Sequence, residues 1–273
     1  LMLLPALVSG SEPFTIISGS GERSPKQPQA SVDSMGVAHV TFGVGDDVYY
    51  CLVGADEKPS PLVAFQVPNM SLGMRRGLRI AHAGDAIVIT AIGGPQGKGT
   101  DGDVLAYRSL DGGKSWLGPV KVNEIEASAR EGLHAMTASD DGTLVRLGES
   151  SWQLNACPMD GGMLAMDKNN KITTVWRRDR TLLLASPRGG LETTLGTGEQ
   201  PWVASDGDSF FEVWTSKRDG DLLMRSTGIT RSEQMATNAS FPVVVASNAS
   251  EAVYVLWEQR SGDTTTLLGR KIQ

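Results

Sequence analysis

Cysteine is nearly missing from this chain: Cys51 and Cys157 are the only two in 273 residues. They could pair, but one bridge is no disulfide framework, so a hydrophobic core has to hold the fold. Histidine is as scarce, with three scattered residues. No Cys/His spacing of the zinc kind occurs, so no metal centre of that type is expected. Asp101-Gly102-Asp103 and Asp206-Gly207-Asp208 read as turns rather than calcium loops, and no cofactor is called for. Aromatic residues make up only 6% of the chain. No run approaches the ~18 apolar residues of a membrane span, and no long stretch keeps a helical period. Positive charge is in deficit, with 25 Lys and Arg against 31 Asp and Glu. That balance argues against a nucleic acid or an anionic membrane as partner. An anionic ligand would have to meet a local arginine cluster. Nothing in the sequence speaks to oligomeric state.

Glycine, by contrast, is plentiful at 32 residues, and it punctuates short apolar runs. That pattern points to an all-β fold rich in hairpins. A unit of strand, Asp/Gly turn, aromatic-ended strand and further strand then recurs. Its copies begin near Pro28, Leu78, Leu133, Met163, Pro201 and Pro242. Trp176, Trp214 and Trp257, which end second strands, stand 38 and 43 positions apart. A period of roughly 40–45 residues with about four strands per unit is that of propeller blades. The expectation is a six-bladed β-propeller with four-stranded antiparallel blades. Phe14 to Ile17 would supply the last strand of the sixth blade and close the circle. The third unit breaks after Thr143-Leu144-Val145, so that blade reads as incomplete.

Leu1 to Ser11 is apolar and then small and polar, like the core and cleavage zone of a signal peptide without its basic start. The other reading is a ragged first strand. Residues 1–20 are therefore assigned to a signal-peptide remnant and leading strand, residues 21–273 to the propeller, and an exported protein is expected.

In a propeller the innermost strand of each blade lines the axis, and ligand-binding side chains gather where those strands begin. Those entries hold Gln29; Arg75, Arg76 and Arg79; Arg130, Glu131 and His134; Cys157 and Asp160; Gln200 and Trp202; and Phe241. Arg75-Arg76-Gly77-Leu78-Arg79 and Arg130-Glu131-Gly132-Leu133-His134 are related copies with their glycines aligned. Charge recurs here where a plain core would have Val or Leu. Either these groups pair with one another across the axis or they hold a ligand.

Ser109-Leu110-Asp111-Gly112-Gly113-Lys114-Ser115-Trp116 reads Ser-x-Asp-x-Gly-x-Ser-Trp. In such a turn Asp111 accepts backbone N–H groups, the glycines take positive φ, Ser109 and Ser115 tie the strand ends, and Trp116 is buried between sheets. The segment resembles the Asp-box, or BNR repeat, of the sialidase superfamily. The resemblance implies a propeller in which this turn lies on the rim, away from the chemistry. Arg79-Ile80-Ala81 resembles the Arg-Ile-Pro motif of that family, with Ala81 in place of proline. Ser128 to His134 and Trp152 to Gly162 look like segments of bacterial exo-α-sialidase-like propellers, so the likeness runs from about Pro28 to Trp257.

What the resemblance implies is glycoside hydrolysis of a terminal sialic acid or related acidic sugar. Arg79 would grip the carboxylate as a planar fork; by their place at strand entries Arg76, Arg130, His134, Asp160 and Trp202, and by its place after Trp176 Arg177, would complete the sugar site. Asp101, in a glycine-rich loop between second and third strands, would be the acid/base. Glu131 would activate a tyrosine nucleophile or a water, and the one late tyrosine is Tyr254. The chain departs from the family pattern at Ala91-Ile92-Gly93, where an arginine is usual. Tyr254 also sits mid-strand beside Trp257, where alternation reads equally as core. The alternative function is a non-catalytic propeller that binds a glycan or a protein through its axial mouth.

Overall fold

The computed structural model describes residues 10–72, 77–95, 102–124, 126–127, 129, 163–178, 180–185 and 192–272. Nearly every regular element among them is a strand. After the leading strand β1 (Phe14–Ser20), the first blade runs β2 (Lys26–Val32), β3 (Ala38–Val44), β4 (Asp47–Val53) and β5 (Val63–Gln66). The second comprises β6 (Arg79–Ala83), β7 (Ala86–Gly93), β8 (Asp103–Ser109) and β9 (Leu117–Lys121). Beyond residue 162 come β10 (Met163–Met166), β11 (Ile172–Arg178), β12 (Thr181–Ala185) and β13 (Thr193–Thr197), a further blade. The last part of the chain holds β14 (Glu199–Ser205), β15 (Phe210–Thr215), β16 (Gly220–Ser226), β17 (Glu233–Ala246), β18 (Val253–Ser261) and β19 (Thr264–Lys271).

The first three groups are separate four-stranded antiparallel sheets, while β14 to β19 and β1 form one seven-stranded sheet in the order β1-β19-β18-β17-β16-β15-β14. Two blades share β17 in that sheet. Its first half pairs with β16 as an outer strand, and its second half pairs with β18 as an inner one. Ala239 is the crossing point, partnered by Gly220 on one side and Gln259 on the other. Asn238 and Phe241 flank it with φ of 53° and 50°, which turns the strand from one blade into the next. The expected closure is present: β1 pairs antiparallel with β19, Phe14 opposite Gly269 and Ser20 opposite Thr264.

Inner strands follow one another around the axis, β10 beside β14, β14 beside β17, β17 beside β2, and β2 beside β6. Blades packed in sequence about a common axis make a β-propeller, with five blades among the described residues. The break expected after Val145 lies outside those residues, as does the segment from Leu1 to Ser9.

The blade boundaries among the described residues are apolar seams, because β3, β7, β15 and the first half of β18 are buried on both faces. In β15, Phe210 and Trp214 face Val175, Leu182 and Leu184 of the preceding blade. Phe211 and Val213, on the alternate face, join Val243, Leu256 and Trp257 of the following blade. Another seam joins the first two blades through Val48, Tyr50, Leu78, Ile87, Ile89 and Tyr107. Cys157, the other cysteine, lies outside the described residues; Cys51 sits in the core. It is a buried free thiol, its pKa pushed up to about 12 by burial.

The Ser109–Trp116 turn connects β8 to β9. Asp111 Oδ1 accepts from the N–H groups of Lys114 (3.1 Å) and Ser115 (3.0 Å) and from the Ser109 hydroxyl (2.7 Å). Its Oδ2 accepts from Ser115 Oγ at 2.6 Å. These donors hold the Asp111 carboxyl well below the usual carboxylate range. Trp116 packs on Tyr50 and Phe65 of the first blade, with ring centroids 5.3 and 5.0 Å away. The turn therefore fastens one blade to its neighbour.

Candidate functional site in the axial mouth

Three inner strands begin the same way. Gln27-Pro28, Gln200-Pro201 and Phe241-Pro242 each place a left-handed residue before proline, with φ of 54°, 56° and 50°. A following proline disfavours the helical region for the residue before it. Left-handed backbone in a residue with a Cβ costs on the order of 1–2 kcal/mol. Each site coincides with a register shift against the second strand. Such bulges re-aim side chains.

The preceding blade secures two of these strained positions. The Phe241 N–H donates to Gln200 Oε1 at 2.7 Å, and the Gln27 N–H donates to Glu258 Oε1 at 2.5 Å. Glu258 is intermediate in exposure as a whole residue, yet its carboxyl is withdrawn from water, which pushes its pKa up to about 7.

Gln27, Gln29, Arg79, Trp202, Phe241 and Pro242 surround an axial cavity of about 10 Å³. That is room for about one water-sized group rather than a sugar ring. Four of these, Gln29, Arg79, Trp202 and Phe241, are among the strand-entry residues that the repeat singles out. Arg79 is 9% exposed, and its Nη1 donates to the carbonyls of Leu78 (2.7 Å) and Gly77 (3.2 Å). Burial lowers its pKa to about 10, so the guanidinium keeps its charge at neutral pH. A desolvated cation beside two buried glutamines and two aromatic walls is suited to an anionic oxygen group.

The other expected residues divide into three groups. Arg177 reaches across a blade boundary to Glu199 at the entry of β14, Nη1 to Oε1 3.5 Å. Tyr254 is fully buried, and its hydroxyl donates to the Gly36 carbonyl at 2.9 Å. It pairs with Val245 near the far end of the inner strand and does not line the cavity. Asp101, Arg76, Arg130, Glu131, His134 and Asp160 lie outside the described residues. In the Asp206–Ser209 turn, Asp206 Oδ1 accepts from the N–H groups of Asp208 and Ser209, and Asp208 pairs with Lys168.

Sequence reasoning missed three groups. Gln27 went unremarked although the recurring X-Pro dipeptide marks it. Glu258 and Glu212 sit in strands whose alternation reads simply as core. Glu212 is 5% exposed with Arg225 Nε 3.5 Å from its Oε2, and burial lifts its pKa to about 7.

No protein-family model matches the chain, and no curated protein matches it. Solved structures do. An α-L-arabinofuranosidase from Fusarium graminearum, in complex with an iminosugar inhibitor, superposes with a TM-score of 0.60 at 9% identity, over 92% of this chain and 94% of that one. The sialidase of Trypanosoma rangeli with the inhibitor DANA gives 0.54 at 13% identity, over 91% of this chain and 55% of its own. An aldose sugar dehydrogenase from Streptomyces coelicolor, bound to PQQ, gives 0.52 at 12% identity over 97% and 99%. The chain thus spans about half the length of the sialidase. At these identities the likeness establishes a shared β-propeller fold, one that hosts different reactions.

Proposed function

We propose that this chain is a glycan-acting propeller of the glycoside hydrolase kind, taking an acidic sugar at its axial mouth. The observation that carries the reading is Arg79, a guanidinium withdrawn from water at the axial cavity beside Trp202. A guanidinium presents a planar fork that matches a carboxylate bidentately. Trp202 and Phe241 add apolar walls to the cavity, which has room for one oxygen of such a group. Neighbours of the same fold include a sialidase and an arabinofuranosidase, in keeping with a glycan ligand. In this mechanism Arg79 fixes the carboxylate and Asp101 delivers the proton to the leaving oxygen. Glu131 serves as the second carboxylate, with water rather than Tyr254 as attacking group.

The test is a panel of fluorogenic glycosides, a sialoside, a glucuronide and an α-L-arabinofuranoside, with wild type, Arg79→Ala and Asp101→Asn. The reading expects turnover of an acidic substrate and its loss in both variants. Turnover unchanged in both would remove the site assignment. The placement of Tyr254 favours a second reading, a propeller that binds an acidic glycan without hydrolysing it. No turnover together with saturable binding would select that one.

A further inference from the structure

Four residues of successive inner strands meet at the axial cavity: Gln29, Arg79, Trp202 and Val243. Following the strand ladders outward from them brings equivalent rim positions into line. From Gln29 the ladder runs to Thr41 and Tyr50, and from Trp202 to Val213 and Met224. Two residues earlier in those third strands, Val48 lies opposite Phe65 and Leu222 opposite Ala236. From Arg79 the ladder runs to Thr90 and Ala106, and from Val243 to Leu256 and Gly269. The next residues are Tyr107 and Arg270. The first two blades thus meet at their rim through Phe65 and Tyr107, ring centroids 4.5 Å apart, with Trp116 5.0 Å from Phe65. At the seam between the last two blades Ala236 stands in the place of Phe65. Arg270 stands in the place of Tyr107, and its Nε donates to the Ser11 carbonyl at 2.7 Å.

The last seam is open where the first is filled. Trp257, 0% exposed, closes its inner part. Outside that lies a groove of about 680 Å³ bordered by Pro13, Ala236 and Leu268, a volume in the range of ligand sites. Gln234, Thr237 and Gln259 add carboxamide and hydroxyl groups, and none of the lining residues is charged. The outer half of β17 also presents an edge here. It pairs with β16 on one side, and pairing with β18 begins only at Ala239. No described strand covers the other side from Gln234 to Thr237, which leaves a template for one more strand. We infer that this groove docks an extended segment of another polypeptide. The segment lies along the edge of β17 and seats an uncharged aromatic side chain where Phe65 and Tyr107 fill the other seam. Side chains of an added strand alternate between faces, so a single aromatic residue can reach the groove and anchor the segment. A charged side chain would lose its water there without gaining a partner. This rim site is separate from the axial mouth and does not depend on a sugar being bound there.

The test is methyl NMR at Met235 and Leu268, both in the groove wall, during titration with the end-blocked peptide Thr-Thr-Trp-Thr-Thr. Saturable shifts are expected with wild type. The same peptide with Ala or Lys in place of Trp is expected to bind ~10-fold more weakly or worse. Ala236→Phe restores the ring of the other seam, so it abolishes the shifts and melts no lower than wild type, as a filled groove should. Pro13→Trp, at an exposed position on the border of the groove, blocks it in the same way and replaces Ala236→Phe should that variant not fold. Absence of shifts with the Trp peptide overturns the inference. So does equal binding of the Ala peptide, or binding that survives in a folded variant with the groove filled. Free indole that binds as tightly as the peptide overturns the polypeptide as occupant.

Discussion

The imidazoles of His39 and His82 stack across the joint between the first two blades, ring centroids 4.9 Å apart and planes 11° from parallel. His39 Nδ1 shares a hydrogen bond with the Tyr50 hydroxyl at 2.7 Å, and its Nε2 lies 3.6 Å from Asp33 Oδ2. His82 Nδ1 bonds Ser31 Oγ at 2.6 Å. Burial lowers the pKa of both histidines, and for His39 the neighbouring ring lowers it further, while Asp33 pulls the other way. The folded protein thus binds these protons more weakly than the unfolded chain does. The stacked pair contributes full stability above about pH 6.5, the ordinary histidine value, and loses it as pH falls through the lower folded values. Urea unfolding at pH 7 and pH 5 checks this, with His82→Phe expected to lose less stability over that interval than wild type. Equal losses would show that the stack does not set acid sensitivity.

Glu258 predicts the reverse slope. Its folded-state pKa of about 7 lies above the ordinary carboxylate value, so the charged form is the destabilised one. Its cost grows as pH climbs from about 4.5 to about 7. Glu258→Gln removes the charge and keeps an oxygen for the Gln27 N–H. The variant is expected to melt roughly 2–6 °C higher than wild type at pH 8 and within about 1 °C of it at pH 4. Thermal scans at both values decide the matter.

Gly113 is the position in the Ser109–Trp116 turn that cannot accept a side chain. Its φ is 88°, and a Cβ there would fall on the ring of Tyr50. Gly113→Ala combines left-handed strain with overpacking and is expected to cost about 2–4 kcal/mol. Gly112→Ala shares the positive φ of 70° but meets nothing within 4 Å. It should cost about 1–2 kcal/mol. Urea midpoints for the pair separate the two contributions, and equal losses would show that contact with Tyr50 is unimportant.

Gly269 serves the closing strand in the same manner. It lies opposite Phe14, whose ring occupies the place a Cβ would take. Gly269→Val is expected to displace Phe14, cost about 1–3 kcal/mol, and expose residues 10–20 to limited proteolysis. Unchanged digestion would mean that β1 is held by its backbone pairing alone.

The inner half of β17 and the second strands β15 and β18 were legible because they are largely buried on both faces. Val243-Val244-Val245 and the aromatics Trp214 and Trp257 announce themselves by composition and spacing. The outer strands were not. Residues 117–121 are exposed throughout, and Glu233 to Asn238 in β17 carry no apolar alternation. They are strands because a neighbour supplies hydrogen bonds, which a single-segment pattern does not record. The candidate site divides in the same way. Arg79 and Trp202 follow from their place in the repeat. Gln27 and Glu258 acquire meaning only when adjacent blades meet, as do His39 and His82, 43 positions apart.

Because β1 completes its sheet only against β19, and Phe14 and its partner Gly269 are 269 − 14 = 255 positions apart, the ribosome makes one half of that pairing well before the other. At ~5–20 residues per second the interval is on the order of tens of seconds. Throughout it the early strand offers bare amide and carbonyl groups to any passing chain. Chaperone dependence during synthesis, and dimers formed by exchange of this strand, are the hazards such a latch brings with it.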